Sequence, residues 1–154
     1  MTKREVYNPT RGERHVDFLY GIRVVRRYIA RKNDISEPDL EFLCDLHALK
    51  RFRRQDFDNG TVTLTWDQNR WTRMLDNDWV KVYRERKPSA GRNYKIYSLT
   101  YKGRRTVEYF YEILCGEKPI PEVKQHNSIM KEETYNDKRY AAAIRAFNAA
   151  KQKL

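Results

Sequence analysis

Apolar residues recur at helical spacing at Phe18, Ile22, Val25 and Ile29, while Arg23, Arg26, Arg27 and Arg31 fill the positions between them. That alternation predicts an amphipathic helix with a basic face. Asn33 to Ile35 break the pattern. Ser36-Glu37-Pro38-Asp39 then offers a capping hydroxyl and a proline suited to a first turn, so a second helix is expected to start there. It carries Leu40, Leu43 and Cys44 on one side and Phe42, Leu46 and Leu49 on another, a distribution that predicts a central place in the core. Further on, Phe52 and Phe57 flank Arg53-Arg54-Gln55-Asp56, which predicts a short helix around residues 54–58. Asn59-Gly60 is a turn signal, and Thr61-Val62-Thr63-Leu64 alternates like a strand.

Thr65-Trp66-Asp67-Gln68 has the form of another capping box, and Trp71, Met74 and Leu75 supply an inward stripe, so a third helix is expected to run to about Asn77. Trp79 to Arg84 and Tyr94 to Leu99 alternate with period two around Lys87-Pro88-Ser89-Ala90-Gly91-Arg92-Asn93, which predicts a hairpin with a long basic tip. Val107, Phe110, Tyr111 and Leu114 mark a further helix, with Tyr109 and Ile113 on a second apolar side. It ends near Gly116, and Lys118-Pro119-Ile120-Pro121 cannot continue it. An alanine-rich helix follows, with Tyr140, Ile144 and Phe147 in step. The expected class is mainly α with a small antiparallel β-hairpin, an α+β fold. Its parts are a polar arm over 1–16, a domain over 17–116, and a connector with a C-terminal helical extension over 117–154.

Charge narrows the choice of partner. The chain carries 32 Lys+Arg against 21 Asp+Glu, a formal net charge of +11, which favours polyanions such as nucleic acid. Surplus cations that only confer solubility are the competing explanation, so placement matters. Between Lys81 and Arg105 there are nine basic residues, and only Glu85 opposes them. No run of apolar residues is long enough for a membrane span, so a cytoplasmic protein is expected. Cys44 and Cys115 lie far apart outside any CxxC pair and read as buried thiols rather than a disulfide.

The serial order of helices, capped helix and basic hairpin is that of a winged helix-turn-helix, here with flanking N- and C-terminal helices. The segment from Trp66 to Val80 resembles the recognition helix and first wing strand of the MarR family. Tyr97-Ser98-Leu99-Thr100-Tyr101-Lys102-Gly103-Arg104 resembles that family's Leu-Thr-x-x-Gly-Arg closure after the second wing strand. The resemblance covers about residues 17–116, and the Trp-rich arrangement is also similar to MarR-like proteins of tailed bacteriophages. The chain departs from the pattern at Asp78, where glycine is common, at Trp79 in place of an aliphatic residue, and at the strand-like stretch 61–64. The resemblance implies a homodimer through residues 17–31 and 106–115. It also implies room for a small aromatic effector, which no residue pattern identifies.

The expected function is sequence-specific binding of double-stranded DNA, as a transcriptional regulator. Gln68, Asn69, Arg70 and Arg73 lie off the inward stripe and are side-chain types that address adenine or guanine edges in pairs of hydrogen bonds. Arg84, Arg86, Lys87, Arg92 and Lys95 are the expected phosphate contacts, which fix register and make affinity fall with salt. The competing account of Arg70 and Arg73 is a solvated face paired with Asp67, Asp76 or Asn77. Asp67, Asp76 and Asp78 would repel phosphate, and they favour an alternative: a phage structural or adaptor protein that uses the fold for protein contacts or non-specific nucleic-acid binding. Trp66, Trp71 and Trp79 read as core rather than base-stacking residues, and Tyr83, Tyr94, Tyr97 and Tyr101 as cross-strand packing. His15, His47 and His126 are scattered, with His47 read as a core histidine. No catalytic residue, cofactor or metal ligand is predicted.

Overall fold

The computed structural model describes residues 21–63, 67–86 and 94–152. The chain is mainly helical with a small three-stranded antiparallel sheet: α1 (Ile22–Lys32), α2 (Glu37–Leu49), β1 (Arg51–Phe52), α3 (Arg54–Thr63), α4 (Arg70–Asp76), β2 (Val80–Arg86), β3 (Tyr94–Leu99), α5 (Tyr101–Leu114), a 3-10 turn (Ser128–Lys131) and α6 (Tyr135–Gln152). Two compact units divide it. One is Ser36–Glu108; the other joins the chain before Ser36 to the chain from Tyr109 onward. This partition differs from the expected domain over 17–116, because α1 belongs with α6 rather than with the hairpin.

In the Ser36–Glu108 unit, α2 starts where its sequence says it should. The Asp39 amide donates to Ser36 Oγ at 3.2 Å and Pro38 occupies the first turn. Leu40, Phe42, Leu43 and Leu46 are fully buried, whereas Leu49, expected on an apolar side, is 48% exposed, and Asp45 and Ala48 face solvent. Two expectations fail next. Thr61, Val62 and Thr63 continue α3 instead of forming a strand, and a strand does form at Arg51–Phe52, pairing antiparallel with β3. Packing overrides the β-branched alternation: Phe57 of α3 sits 5.0 Å from Phe42 and 4.8 Å from Trp71, a contact that local propensity does not register.

The sheet order is β1-β3-β2, with a bulge between Val82 and Arg84 that frees Tyr83 from the ladder. Its inner face packs on an aromatic cluster in which Trp71 meets Tyr97 at 4.7 Å and Phe52 meets Tyr97 at 6.4 Å. Trp71 and Trp79 are buried, as expected of core residues; Trp66 lies outside the described residues. Tyr101, read as a hairpin residue, opens α5 instead and is exposed. His47 is half-buried rather than core, and Cys44 and Cys115, neither of them in a disulfide, are partly exposed rather than buried.

The turn from β3 into α5 shows what the Thr-x-x-Gly pattern does. Thr100 Oγ1 accepts the Gly103 amide at 3.1 Å and donates to the Asp78 carbonyl at 2.7 Å, so one hydroxyl caps α5 and latches the start of the hairpin. Asp78 itself has a φ of 61°, which is why glycine suits this place. A Cβ on Gly103 would lie 2.8 Å from the Trp79 carbonyl oxygen, a backbone atom with little room to yield. Gly103→Ala should therefore lower stability by about 1–2 kcal/mol, the overpacking cost outweighing the roughly 1 kcal/mol helix preference of alanine. Urea unfolding reads this; an unchanged or higher midpoint would show that the contact is slack.

In the other unit, α6 and the 3-10 turn pack with α1 around Val25, Ile29, Ile129, Met130, Ala141, Ile144 and Phe147. The connector expected after α5 is held by an amide: Asn148 Oδ1 accepts the Ile120 amide at 3.0 Å and its Nδ2 donates to the Ile120 carbonyl at 2.9 Å. Arg31 pairs with the buried Asp137, whose carboxyl is held below its ordinary range first by that hydrogen bond. Burial, then the hydroxyl of Tyr109 at 3.3 Å, pushes the Tyr28 phenol well above its ordinary value.

Candidate nucleic-acid interface

The residues predicted to read DNA lie in the turn before α4 and in α4 itself. The helix begins at Arg70, later than expected, and its N-cap Asn69 makes no side-chain cap. The capping box placed at Thr65-Trp66 falls largely outside the described residues. Asp67 supplies the turn instead, its Oδ1 accepting the Asn69 amide at 2.9 Å and bending the chain into the helix. Gln68, Asn69 and Thr72 are exposed, while Trp71 and Met74 point into the core.

Arg70 and Arg73 require a correction. Arg70 is 2% exposed, lies over the Phe42 ring at 4.3 Å and donates from Nε to Asp39 Oδ1 at 2.8 Å. Arg73, half-buried, donates to both Asp39 oxygens at 2.8 Å and to Asp67 Oδ2 at 2.8 Å. A guanidinium buried in this way cannot reach a base edge, and one shared between two carboxylates is neutralised where it stands. Neither the base-reading role of Arg70 nor the solvated-face alternative matches its position. Burial works to raise the Asp39 pKa, and the hydrogen bonds from Arg73 and Arg70 outweigh it, so the carboxyl lies below its ordinary 3.8. Asp67 is also lowered, chiefly by Arg73, and the two carboxylates raise the Arg73 pKa in turn.

Asp39 is the residue that sequence reasoning missed. It stands 31 positions before Arg70, and at the start of α2 it reads only as a favourable first-turn acid. No spacing rule joins the two.

On the hairpin, Lys81, Arg84 and Lys95 are exposed, and Glu85 is the register partner of Lys95, which offsets part of its charge. Arg86 lies at the end of β2; Lys87 and Arg92 are outside the described residues. Cations also flank the hairpin from positions that its own pattern does not mark, Arg51 over the Tyr83 ring at 4.1 Å and Arg53 over the Tyr94 ring at 5.0 Å. In the segments expected to carry a dimer, 17–31 and 106–115, Val25, Ile29, Val107, Phe110 and Ile113 are buried within the chain, while Ile22, Val24, Tyr109 and Tyr111 are partly exposed.

Among the described residues no group of three or more His, Cys, Asp or Glu comes together as a metal ion would need, and no helix is long and apolar enough to cross a membrane. Comparisons with family models, with curated proteins and with solved structures give no match.

Proposed function

We propose that the protein binds double-stranded DNA through a winged helix formed by α2 to β3, as a transcriptional regulator. The observation that carries this reading is the exposure of Gln68 and Asn69 at the N-terminal end of α4, on a helix whose other side is fixed to the hairpin by Trp71 and Tyr97. The order helix, strand, helix, helix, hairpin supports it, as does the basic outer side of the hairpin. Gln68 and Asn69 address base edges; Arg84 and Lys95 hold phosphates, joined by Arg86, Lys87 and Arg92. Arg70 and Arg73 act indirectly, locking α4 to α2 so that the turn before it is presented rigidly. A homodimer through residues 17–31 and 106–115 is part of this reading, with Ile22, Val24, Tyr109 and Tyr111 partly exposed in those segments.

Selection from random duplex DNA at two salt concentrations tests it. A recovered consensus is expected. Gln68→Ala with Asn69→Ala should erase about 1–3 kcal/mol of discrimination between sites. Arg84→Ala with Lys95→Ala should weaken binding to every sequence and reduce the salt slope by roughly 2. The second reading, an adaptor that coats nucleic acid without choosing sequence, is favoured by the exposed Asp76 and Asp78 and by the neutralisation of Arg73. Salt-dependent binding with no consensus would select it over the first.

A further inference from the structure

A groove of about 700 Å³ lies at the base of the hairpin, within the Ser36–Glu108 unit. We propose that it binds polyphosphate, either a free nucleoside di- or triphosphate or consecutive phosphates of a nucleic-acid backbone. The register builds its wall: Arg51 on β1 and Lys81 on β2 are both paired with Ser98 on the central strand. Three side chains therefore stand in one row on one face, with a hydroxyl between two cations separated by two strand spacings, about 10 Å. Lys50 at the end of α2 and Arg104 in the first turn of α5 close on the same space.

Four cations thus converge on a groove that, among the described residues, has no acidic lining. Among the described residues none of Lys50, Arg51, Lys81 and Arg104 is in an ion pair with a carboxylate. This contrasts with Arg70 and Arg73, whose charges are met inside the fold. A monocarboxylate would leave most of the positive charge unmatched, whereas a di- or triphosphate presents charge and acceptor oxygens in the number the groove can use. Lys50 adds an independent sign. Its φ of 65° and ψ of −55° are a sparsely populated conformation for a residue with a Cβ, of the kind that collects at ligand clamps. That backbone turn sets Lys50 and Arg51 side by side on the rim. The half-exposed Leu49 and Tyr83, the latter with the Arg51 guanidinium over its ring, offer apolar surface for a base.

The groove adjoins the proposed duplex face: Lys81 lies three residues from Arg84 along β2, roughly 10 Å, and five from Arg86 at the tip end of the strand, roughly 17 Å. The inference does not rest on the duplex reading. The experiment is calorimetric titration of the full chain with ATP, ADP, inorganic phosphate and a short oligothymidylate. Wild type is compared with Lys81→Gln, Arg104→Gln and the double variant, with thermal melting alongside.

ATP and ADP are expected to bind saturably and to raise the melting temperature, with affinity at least ~10-fold lower in the double variant. Loss of ATP affinity with the oligonucleotide unaffected identifies the free nucleotide as the source. The reverse result identifies the backbone. Either supports the site. No saturable binding of any probe at low salt, or binding that the exposed-residue variants leave unchanged while melting normally, overturns it. Duplex affinity measured on the same variants, and on Arg84→Ala with Lys95→Ala, shows whether the two surfaces fail separately.

Discussion

Asp39→Ala should cost the Ser36–Glu108 unit about 3–5 kcal/mol, the range found when one partner of a buried ion pair is removed. Side chains at Asp39 and Arg70 are 5% and 3% exposed, so the substitution takes from a buried guanidinium the carboxylate that balances its charge. Arg73 suffers less, since it reaches solvent and keeps Asp67. Asp39→Leu combined with Arg70→Met should be less damaging than Asp39→Ala alone, because it removes both buried charges rather than one. Denaturant unfolding measures both variants against wild type. Equal losses in the single and double variants would mean that Arg70 finds another partner.

The same carboxylate ties stability to pH. Its folded pKa lies below the ordinary 3.8, so its contribution is complete above that value and drains away as pH falls through the lower folded value. Wild type should lose stability on acidification below about pH 4, and Asp39→Ala should lose less over the same interval. Asp67 and Asp137, both lowered, leave a residual acid dependence in the variant.

Trp71→Ala is expected to be of similar size, about 3–5 kcal/mol, through the cavity left in a packed aromatic cluster. Trp71 lies edge-on to Phe57 at 4.8 Å, Tyr97 at 4.7 Å and Phe52 at 6.4 Å, so it joins α3, β1, β3 and α4 at one point. Its loss should also loosen α4 from the hairpin, and with it the placement of Gln68 and Asn69. Thermal melting together with amide exchange in α4 checks this. A small shift with unchanged protection would show that Phe57 and Tyr97 close the gap.

The ion-pair network changes what Arg70→Ala measures. A base-reading role would make it a probe of site preference, but the side chain faces Asp39 and Phe42, so it is a probe of stability. Base choice is better tested at Gln68 and Asn69, whose exposed side chains can be truncated without opening the core.

The parts legible in the sequence are those whose physics is local. The Ser36 cap, the buried apolar positions of α2, the hairpin strands and the alanine-rich α6 follow from periodicity, capping and turn chemistry within a few residues, whereas the Thr-x-x-Gly turn into α5 is marked only by a resemblance. Less local features escape such rules: α3 extends through Thr61–Thr63, β1 is only two residues long, and α1 belongs with α6. A two-residue strand has no period to detect, and its existence depends on β3 more than forty positions later.

The sequence by itself determined the helices, the basic hairpin and the excess of positive charge, because these are sums or short-range patterns. Only the tertiary structure decided which of those charges are spent. Asp39 draws Arg70 and Arg73 inward across more than thirty residues of chain, while the strand register leaves Arg51 and Lys81 standing in a row on either side of Ser98. Electrostatic partnership is set by distance and burial in the folded chain, and neither is written in the spacing of residues along it.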